Sequence, residues 1–477
     1  MDHVLIALFI ASSGLLSLVA AGHALLFKRD SRSALVWTSL NMTVPIVGPF
    51  LYWCLGINRI SRRARSWHES GRRISGTSIY PINDDNQTCV LLPVAAFHLN
   101  DLRTLADHIV TTPLRGGNQI ELLENGGNAY PSMLAAISRA TESINLTSYI
   151  FDVQGVGTDF VSRLIEAAER GVAVRVIIDA LGEKYSKISP AKAFRGSKVR
   201  FERYLPLRHG AYINLRNHRK LLIIDGREAF TGGMNINGDL SSAPDKAVTE
   251  LLDIHFSVSG PVVADLQRSF LEDWFFVTGE RLDDPLFFPQ LDSPGSAVIR
   301  CISDGPDKEF RKLEQIIIGA LSCANHSIRI MTPYFIPDRP MISALITTAL
   351  RGIDVRIVLP GCNNLPFVQW ASQSLLWELV ANGIKVYYQP PPFVHTKLLL
   401  VDDIWTLVGS ANIDTRSLRL NFELNLSVFH AGFAADVRTH FDRVISPETE
   451  VTSQMLENRP LPVKLRDSFC HLFAPYL

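Results

Sequence analysis

One polar pattern occurs twice in this chain of 477 residues, and it limits the fold more than any other feature of the sequence. In both copies a histidine is followed by any one residue, a lysine, four apolar residues and an aspartate. The copies are NHRKLLIIDG, with His218, Lys220 and Asp225, and VHTKLLLVDD, with His395, Lys397 and Asp402. Packing alone gives no reason to repeat polar residues, so the pattern predicts a duplicated unit with a shared active site.

The repeat continues beyond the aspartates at identical distances. Fourteen, fifteen and seventeen residues after each histidine come two small residues and an asparagine. These residues are Gly232, Gly233 and Asn235 in the first half and Gly409, Ser410 and Asn412 in the second. A glycine turn at this point lets the backbone approach a ligand closely. One histidine beside a lysine is usually a surface pair, but two matched sets favour catalysis.

The sequence around both copies predicts alternating helices and strands. SMLAAISRATESINLTSYIF is typical of an amphipathic helix followed by a strand, and IIIGALSCANHSIRIMTPYF repeats this order. Helix, glycine turn and buried strand then follow in VSRLIEAAERGVAVRVIID and in ISALITTALRGIDVRIVLP. This alternation indicates βαβ units with a parallel or mixed sheet covered on both faces. We therefore predict an α/β fold of two pseudo-symmetric domains, residues 116–285 and 286–477.

The apolar runs between lysine and aspartate, residues 221–224 and 398–401, are predicted to be buried strands. Because side chains alternate along a strand, the histidine and the lysine of each copy lie on the same face. Each half therefore presents one imidazole, one ammonium group and one carboxamide.

Two apolar segments precede the duplicated region. Residues 4–27 carry no formal charge and are long enough to cross the hydrocarbon core of a bilayer. Residues 34–57 are also uncharged, but two prolines interrupt them, so this segment either spans the membrane or dips in and returns. We predict a transmembrane hairpin as the membrane anchor over residues 1–60, and a linker over residues 61–115.

A cleaved signal peptide is the alternative for the first segment, because residues 19–21 (Val-Ala-Ala) fit a processing site. The preceding Met-Asp-His has no basic residue and a second apolar segment follows, which favours an anchor. Six arginines lie between residues 59 and 73. By the positive-inside rule, two spans would leave both chain ends in the cytoplasm.

Charge and cysteine content disfavour two classes of protein. Lys plus Arg equals Asp plus Glu at 47 each, so the bulk charge does not favour a nucleic acid partner. The six cysteines are scattered, with no C-x-x-C pair and no Cys/His cluster at metal-ligand spacing. We predict no metal site and no cofactor.

The two signatures resemble the duplicated HKD motifs of the phospholipase D superfamily, and the resemblance covers nearly the whole chain after the N-terminal segments. It implies two similar domains that meet face to face, so that His218 and His395 flank one phosphate. His218 would be the nucleophile that forms a phosphohistidine, and His395 the general acid. The carboxylates that orient the two rings are implied to be Asp253 and Glu423, with Glu250 as the alternative to Asp253.

A phosphodiester is negatively charged, so its site needs cations and amide donors around the non-bridging oxygens. Lys220 and Lys397 would supply the cations in place of a metal ion. The predicted phosphate-binding and supporting residues are Asn235, Asn412, Ser410 and Gly233. Asp225 and Asp402 belong to the catalytic motif, but their position at the far strand ends favours fixing a loop or the lysine.

Longer segments narrow the resemblance to the bacterial cardiolipin synthases. They are SALVWTSLNMTVPIVGPFLYWCLG, NLRNHRKLLIIDG, FVQWASQSLLWELVANGIKVYYQ, VGSANIDTRSLRLNFELNL and SFCHLFAPYL. The resemblance implies a phosphatidyltransferase that converts two phosphatidylglycerol molecules into cardiolipin and glycerol. It also implies a multi-pass protein of the bacterial inner membrane with a cytoplasmic catalytic region. Thr396 departs from the pattern, because many relatives carry alanine there.

Other functions remain open at this stage. A hydrolase of the phospholipase D type would release phosphatidic acid, and a transferase with phosphatidylethanolamine as donor would release ethanolamine. A non-catalytic lipid-binding scaffold would need neither histidine, and a nuclease would need a basic groove. A transferase must keep water out, and the apolar residues 365–370 fit either a lipid approach or a part of the core. The sequence carries no signal for the oligomeric state.

Overall fold

The computed structural model describes residues 2–28, 31–56, 90–205, 215–237, 252–282, 284–305 and 311–474. The chain divides into two compact units, Met1–Trp67 and His68–Leu477. The predicted boundaries within the larger unit stay a prediction.

The N-terminal unit is helical. Its described elements are α1 (Asp2–Phe27), α2 (Ser31–Thr43), α3 (Val47–Leu51) and a π-helical turn (Tyr52–Gly56). Val4–Phe27 has a mean hydropathy of 2.4 and is mostly exposed, because leucine, valine and phenylalanine point outward all around the helix. By length and composition, α1 is long and apolar enough to cross a membrane.

The second apolar segment is broken into short helices. Pro45 lacks a backbone N–H group and ends α2, and Ile46 takes a positive φ of 75° before α3 begins. Gly48 lies so close to α2 that an added Cβ atom would be 2.4 Å from the carbonyl oxygen of Leu40. The described residues thus contain one candidate span, which does not support the predicted multi-pass topology.

The larger unit has the predicted α/β fold. The described helices and strands of its first half are α4 (Asn100–Ile109), β1 (Arg115–Glu124), α5 (Asn125–Arg139), β2 (Ser143–Ser148), α6 (Val156–Glu169), β3 (Ala173–Asp179), α7 (Pro190–Ala193), β4 (Arg200–Tyr204), β5 (Arg216–Asn217), β6 (Leu221–Ile224), β7 (Glu228–Gly232), β8 (Ile254–Ser259) and α8 (Val263–Thr278).

The second half repeats this order from residue 297 onward. Its described elements are β9 (Ala297–Asp304), α9 (Lys312–Cys323), β10 (Ser327–Met331), β11 (Phe335–Ile336), α10 (Arg339–Leu350), β12 (Asp354–Pro360), α11 (Pro366–Gln373), α12 (Leu376–Ala381), β13 (Lys385–Gln389), β14 (Leu398–Val401), β15 (Trp405–Gly409), β16 (Ile413–Asp414), β17 (Asn421–Phe429), α13 (Ala431–Asp442), α14 (Ser453–Glu457) and α15 (Leu461–His471).

One mixed sheet runs through both halves. Its strand order is β13-β12-β10-β14-β15-β17-β9-β1-β8-β7-β6-β2-β3-β4. The order reads the same from both edges when β2 is matched with β10, β6 with β14 and β8 with β17. The two halves join where β1 and β9 pair antiparallel. In the first half β2, β3 and β4 pair in parallel, and β6 pairs antiparallel with β2 and β7. The second half repeats this pattern with β10, β12 and β13 in parallel and β14 antiparallel to β10 and β15.

Each half has its own hydrophobic core. The first core includes Ile144, Val176 and Phe230, and the second includes Ile330, Ile357 and Trp405, all fully buried or nearly so. Most of the linker predicted for residues 61–115 lies outside the described residues. Its described part packs on the second core, where Leu99 and Leu102 contact α9.

The motif aspartates fasten a loop in each half. The carboxylate of Asp225 accepts hydrogen bonds from the backbone N–H groups of residues 141–143, just before β2. The carboxylate of Asp402 accepts from residues 325–327, just before β10. Both aspartates have a positive φ of 51°, which an aspartate tolerates better than most residues.

We expect Asp402→Asn to lower the free energy of unfolding at pH 7 by roughly 1.5–3 kcal/mol, the range for hydrogen bonds to a charged group. Burial alone would raise the pKa of Asp402, but the three backbone N–H groups and His98 lower it below its usual 3.8. The carboxylate therefore contributes its full stabilisation above about pH 3.8, the usual pKa of an aspartate, and this stabilisation is lost as the pH falls through the lowered pKa of Asp402. Denaturant unfolding in detergent at several pH values measures this difference.

Asp403→Asn is the matched control. Asp403 is 36% exposed and pairs with Arg438 at the surface and with Arg329, which is 12% exposed, and ion pairs of a solvent-exposed carboxylate contribute about 0–1 kcal/mol. Equal losses in the two variants would contradict the loop-fastening role of Asp402.

Candidate active site

The two histidines meet where the halves of the sheet join. His218 precedes β6, and its backbone N–H donates to the carbonyl oxygen of Phe422 in the second half (2.9 Å). His395 precedes β14, and its backbone N–H donates to Leu252 in the first half (2.8 Å). Each histidine is thus anchored on the other half. Their rings lie edge to face with centroids 6.5 Å apart.

Each imidazole is oriented by a carboxylate from the opposite half. His218 Nδ1 lies 3.1 Å from Oε2 of Glu423 on β17, and His395 Nδ1 lies 2.9 Å from Oδ2 of Asp253 beside β8. Both carboxylates are buried. The sequence suggests Asp253 and Glu423 but does not say which histidine each one holds. Glu250, the alternative, lies outside the described residues.

The two carboxylates are held in different ways. Glu423 accepts a hydrogen bond at Oε2 from the hydroxyl of Ser410 (2.5 Å) and one at Oε1 from the amide of Asn421 (3.0 Å). At the position that matches Ser410, Gly233 leaves room for Asp253, because an added Cβ atom would lie 2.5 Å from the carboxylate. Ser410 and Gly233, predicted to support the phosphate, thus contact the carboxylates.

The motif lysines lie beside the histidines of their own copies. Lys220 Nζ donates to the carbonyl oxygen of His218 (2.6 Å), and Lys397 Nζ lies 2.8 Å from Nδ1 of His395. Burial lowers the pKa of Lys220 to about 7 and that of Lys397 to about 8, although Glu423 and Asp253 counteract the shift. A bound anion would restore the charged form of both lysines.

The histidines are held in the neutral form. Burial and, to a smaller extent, Lys397 lower the pKa of His395 to about 4, while Asp253 opposes the shift. Burial also lowers the pKa of His218, and Glu423 opposes that shift. These electrostatics favour an anion between the rings, because negative charge stabilises an imidazolium and both ammonium groups.

The motif asparagines form hydrogen bonds with the chain segments around the site. Asn235 accepts a hydrogen bond from the backbone N–H of Ile150 (3.1 Å), and Asn412 donates to the hydroxyl of Ser417 (3.2 Å). Both side chains are buried. Their role in phosphate binding stays a prediction.

Asp225 and Asp402 lie away from the histidines. Asp225 follows Lys220 by five positions across β6, which corresponds to about 16 Å of extended chain. The carboxylates bind loop amides at the far strand ends. The two aspartates are therefore too distant to contact a phosphate between the rings.

Two tyrosines line the site and were missed in the sequence. Tyr149 follows β2 and lies 5.3 Å from the His218 ring, and Tyr334 follows β10 and lies 6.2 Å from the His395 ring, both measured between centroids. A tyrosine after the matching strand of each half was the signal that could have identified them. Within the described ranges, no group of three or more Cys, His, Asp or Glu residues has the arrangement of a metal site.

Comparisons with known proteins agree on one family. A family model described as cardiolipin synthase, PLD-like domain, matches residues 133–274 and 317–445. A cardiolipin synthase of Oceanobacillus iheyensis is 30% identical over 94% of this chain and 95% of its own length. The major cardiolipin synthase of Bacillus subtilis is 30% identical over 99% of both chains.

A solved structure has the same fold. The phosphatidylserine synthase of Haemophilus influenzae superposes with a TM-score of 0.61 at 17% identity, covering 79% of this chain and all of that one.

We expect Lys397→Met to raise the pKa of His395, because Lys397 is the largest cause after burial that lowers it. Carbethoxylation requires the neutral imidazole, so its rate at His395, followed by mass spectrometry between about pH 3 and 8, reports this pKa. Lys220→Met is the control and should shift the midpoint less, because Lys220 is a smaller cause. An unchanged midpoint in Lys397→Met would exclude this effect of Lys397.

Proposed function

Since the chain belongs to the cardiolipin synthase family of phospholipase D-like phosphatidyltransferases, we propose that it joins two phosphatidylglycerol molecules into cardiolipin and releases glycerol. The observation that carries the mechanism is the pair of carboxylate-held imidazoles with ring centroids 6.5 Å apart. A phosphorus atom between the rings would have one imidazole on each side.

The first step is transfer of the phosphatidyl group to the protein. Nε2 of His218 attacks the phosphorus of the donor lipid, so a P–N bond forms and the P–O bond to the glycerol headgroup breaks. His395 gives its proton to the departing glycerol oxygen. Glu423 supports this step, because an acceptor at Nδ1 of His218 fixes the tautomer whose Nε2 lone pair is free.

The second step regenerates the histidine. His395, now neutral, takes the proton from the terminal hydroxyl of a second phosphatidylglycerol, and the hydroxyl oxygen attacks the phosphorus. The P–N bond breaks and cardiolipin leaves. Lys220 and Lys397 stabilise the charge on the non-bridging oxygens in both steps, as cations placed in a buried site do.

The difference between the two halves supports His218 as the nucleophile. Glu423 is fixed by Ser410 and Asn421 and remains an anion, because its neighbours lower its pKa against the effect of burial. The pKa of His395 is lowered by Lys397, whose ammonium group lies close to Nδ1 of the ring. A bound phosphate anion would raise the pKa of His395 and so favour the protonated ring that a general acid needs.

Association with a membrane is supported by α1, which is long and apolar enough to cross one. We propose the bacterial inner membrane, with the catalytic unit on the cytoplasmic side. If α1 alone spans, Lys28, Arg29 and Arg32 follow the span and mark its cytoplasmic end. If residues 34–57 also span, the arginines at residues 59–73 mark the same side. Both topologies give one location for the site.

Purified full-length protein in detergent–lipid micelles with phosphatidylglycerol alone is expected to form cardiolipin and glycerol. His218→Ala should abolish the product, and His108→Ala, at an exposed histidine of α4, should not. Mass spectrometry of the lipids measures the result. Phosphatidic acid as the main product would indicate a hydrolase instead, and product only after addition of phosphatidylethanolamine would indicate another donor.

The order of the histidines is tested with phosphatidyl-p-nitrophenol, whose leaving group needs no proton. In His395→Ala the phosphatidyl group should accumulate on His218, because formation of the intermediate proceeds while its transfer lacks a base and slows by roughly 10²–10⁴-fold. A burst of nitrophenol and the mass of the His218 peptide report the adduct. An adduct on His395 in His218→Ala would reverse the assignment.

A further inference from the structure

We propose that the outer face of α15 docks on the surface of a phospholipid bilayer and keeps the neighbouring helix α11, which leads to the active site, at that surface. This inference rests on the proposed function in one respect, namely that the substrates are lipids. It concerns a surface of the larger unit, whereas α1 belongs to the N-terminal unit.

The outer face of α15 is a stripe of large apolar side chains. Leu461, Leu465, Phe469 and Leu472 are between 59% and 73% exposed. Their spacing of four, four and three residues places them in one row along the helix. A helix on the surface of a water-soluble domain normally turns such a row toward the core.

The opposite face of α15 is anchored by a buried charge. Asp467 is 1% exposed and forms ion pairs with Arg459 and with Arg466. Rotating the helix to bury the leucines would move Asp467 away from Arg459, which precedes α15 and is only 20% exposed, and leaving such a cation without its partner is costly. The orientation that leaves the apolar stripe outward is therefore fixed by the fold.

Groups suited to a lipid interface flank the stripe. Lys464 is exposed, and the guanidinium of Arg466 lies 4.3 Å from the ring centroid of Trp370. Trp377 is 62% exposed and, with Lys464, lines a cavity of about 370 Å³ beside α15. Apolar side chains between lysine, arginine and tryptophan are the composition of interfacial helices, in which cations meet anionic headgroups.

The stripe is connected to the active site by direct contacts. The hydroxyl of Tyr334, next to His395, donates to Asn364 (2.8 Å), two residues before α11. Helix α11 packs along α15, and the rings of Phe367 and Phe473 have centroids 5.7 Å apart. The apolar segment 365–370 thus forms the start of α11 between the site and the stripe, with its first residue, Leu365, partly exposed.

This arrangement gives α15 a role in lipid transfer. When α15 is docked on the bilayer, the path that a lipid follows along α11 to the histidines would begin at the level of the headgroups. A second lipid would then reach the phosphohistidine with its acyl chains still in the bilayer. The same contact would limit the access of water, which a transferase has to exclude.

A photo-crosslinking amino acid, p-benzoyl-phenylalanine, at Leu465 tests the docking without requiring catalysis. The full chain is reconstituted into phosphatidylglycerol–phosphatidylcholine vesicles and irradiated. We expect lipid adducts at position 465. The matched control is Leu350, which is 71% exposed but is the last residue of α10, beside residues 321–324 that precede β10, at the strand ends away from the active site. Crosslinks from position 465 to protein, or equal lipid labelling at both positions, would overturn the proposal.

The variant Leu465→Glu/Phe469→Glu tests the consequence for turnover, with Leu350→Glu as control. We expect at least about a tenfold loss on vesicle phosphatidylglycerol and less than about a twofold change on a monomeric short-chain phosphatidylglycerol. Both substitutions are at exposed positions, so the thermal unfolding midpoint should be unchanged. Vesicle turnover within about twofold of the unmodified chain would refute the docking, whereas loss of the proposed function would appear as absent turnover on both substrates.

Discussion

The arrangement on which the rest of this structure depends is the crossed pairing of two histidines with two carboxylates across the join between the halves. Glu423 of the second half holds His218 of the first, and Asp253 of the first half holds His395 of the second. Neither half is complete alone, because each imidazole takes its tautomer from the other half. The antiparallel pairing of β1 with β9 makes one sheet of the two halves and so brings both pairs to the same place.

Burial of these groups has a free-energy cost that the surrounding hydrogen bonds offset. Two lysines, two histidines and two carboxylates share one buried site, and burial shifts the pKa values of both lysines and both histidines toward the neutral forms. A phosphodiester anion between the rings adds negative charge beside these four groups and so favours their protonated forms, which suits the site to stabilising the charge that develops in phosphatidyl transfer.

The two halves have the same strand order, but the side chains around the two histidines differ. Ser410 donates to Glu423, whereas Gly233 at the matching position only leaves space for Asp253. Arg219, between His218 and Lys220, pairs with Asp273 and donates to Ser303 across the join, where the second copy has the smaller, buried Thr396. These differences give the two imidazoles different surroundings, as a nucleophile and a general acid require.

The sequence by itself determined the duplicated α/β fold and the residue types of the site, because strand periodicity and the repeated motif are local properties of the chain. It also pointed to Asp253 and Glu423, but only through the resemblance. The tertiary structure decided that these carboxylates cross between the halves, that Tyr149 and Tyr334 line the site, and that Asp225 and Asp402 fasten loops far from it. It also showed that the described part of the second apolar segment, residues 34–56, is broken into short helices, and that α15 turns its leucines outward. These features depend on which elements lie side by side, and pairing between distant segments is not encoded in the pattern of any one of them.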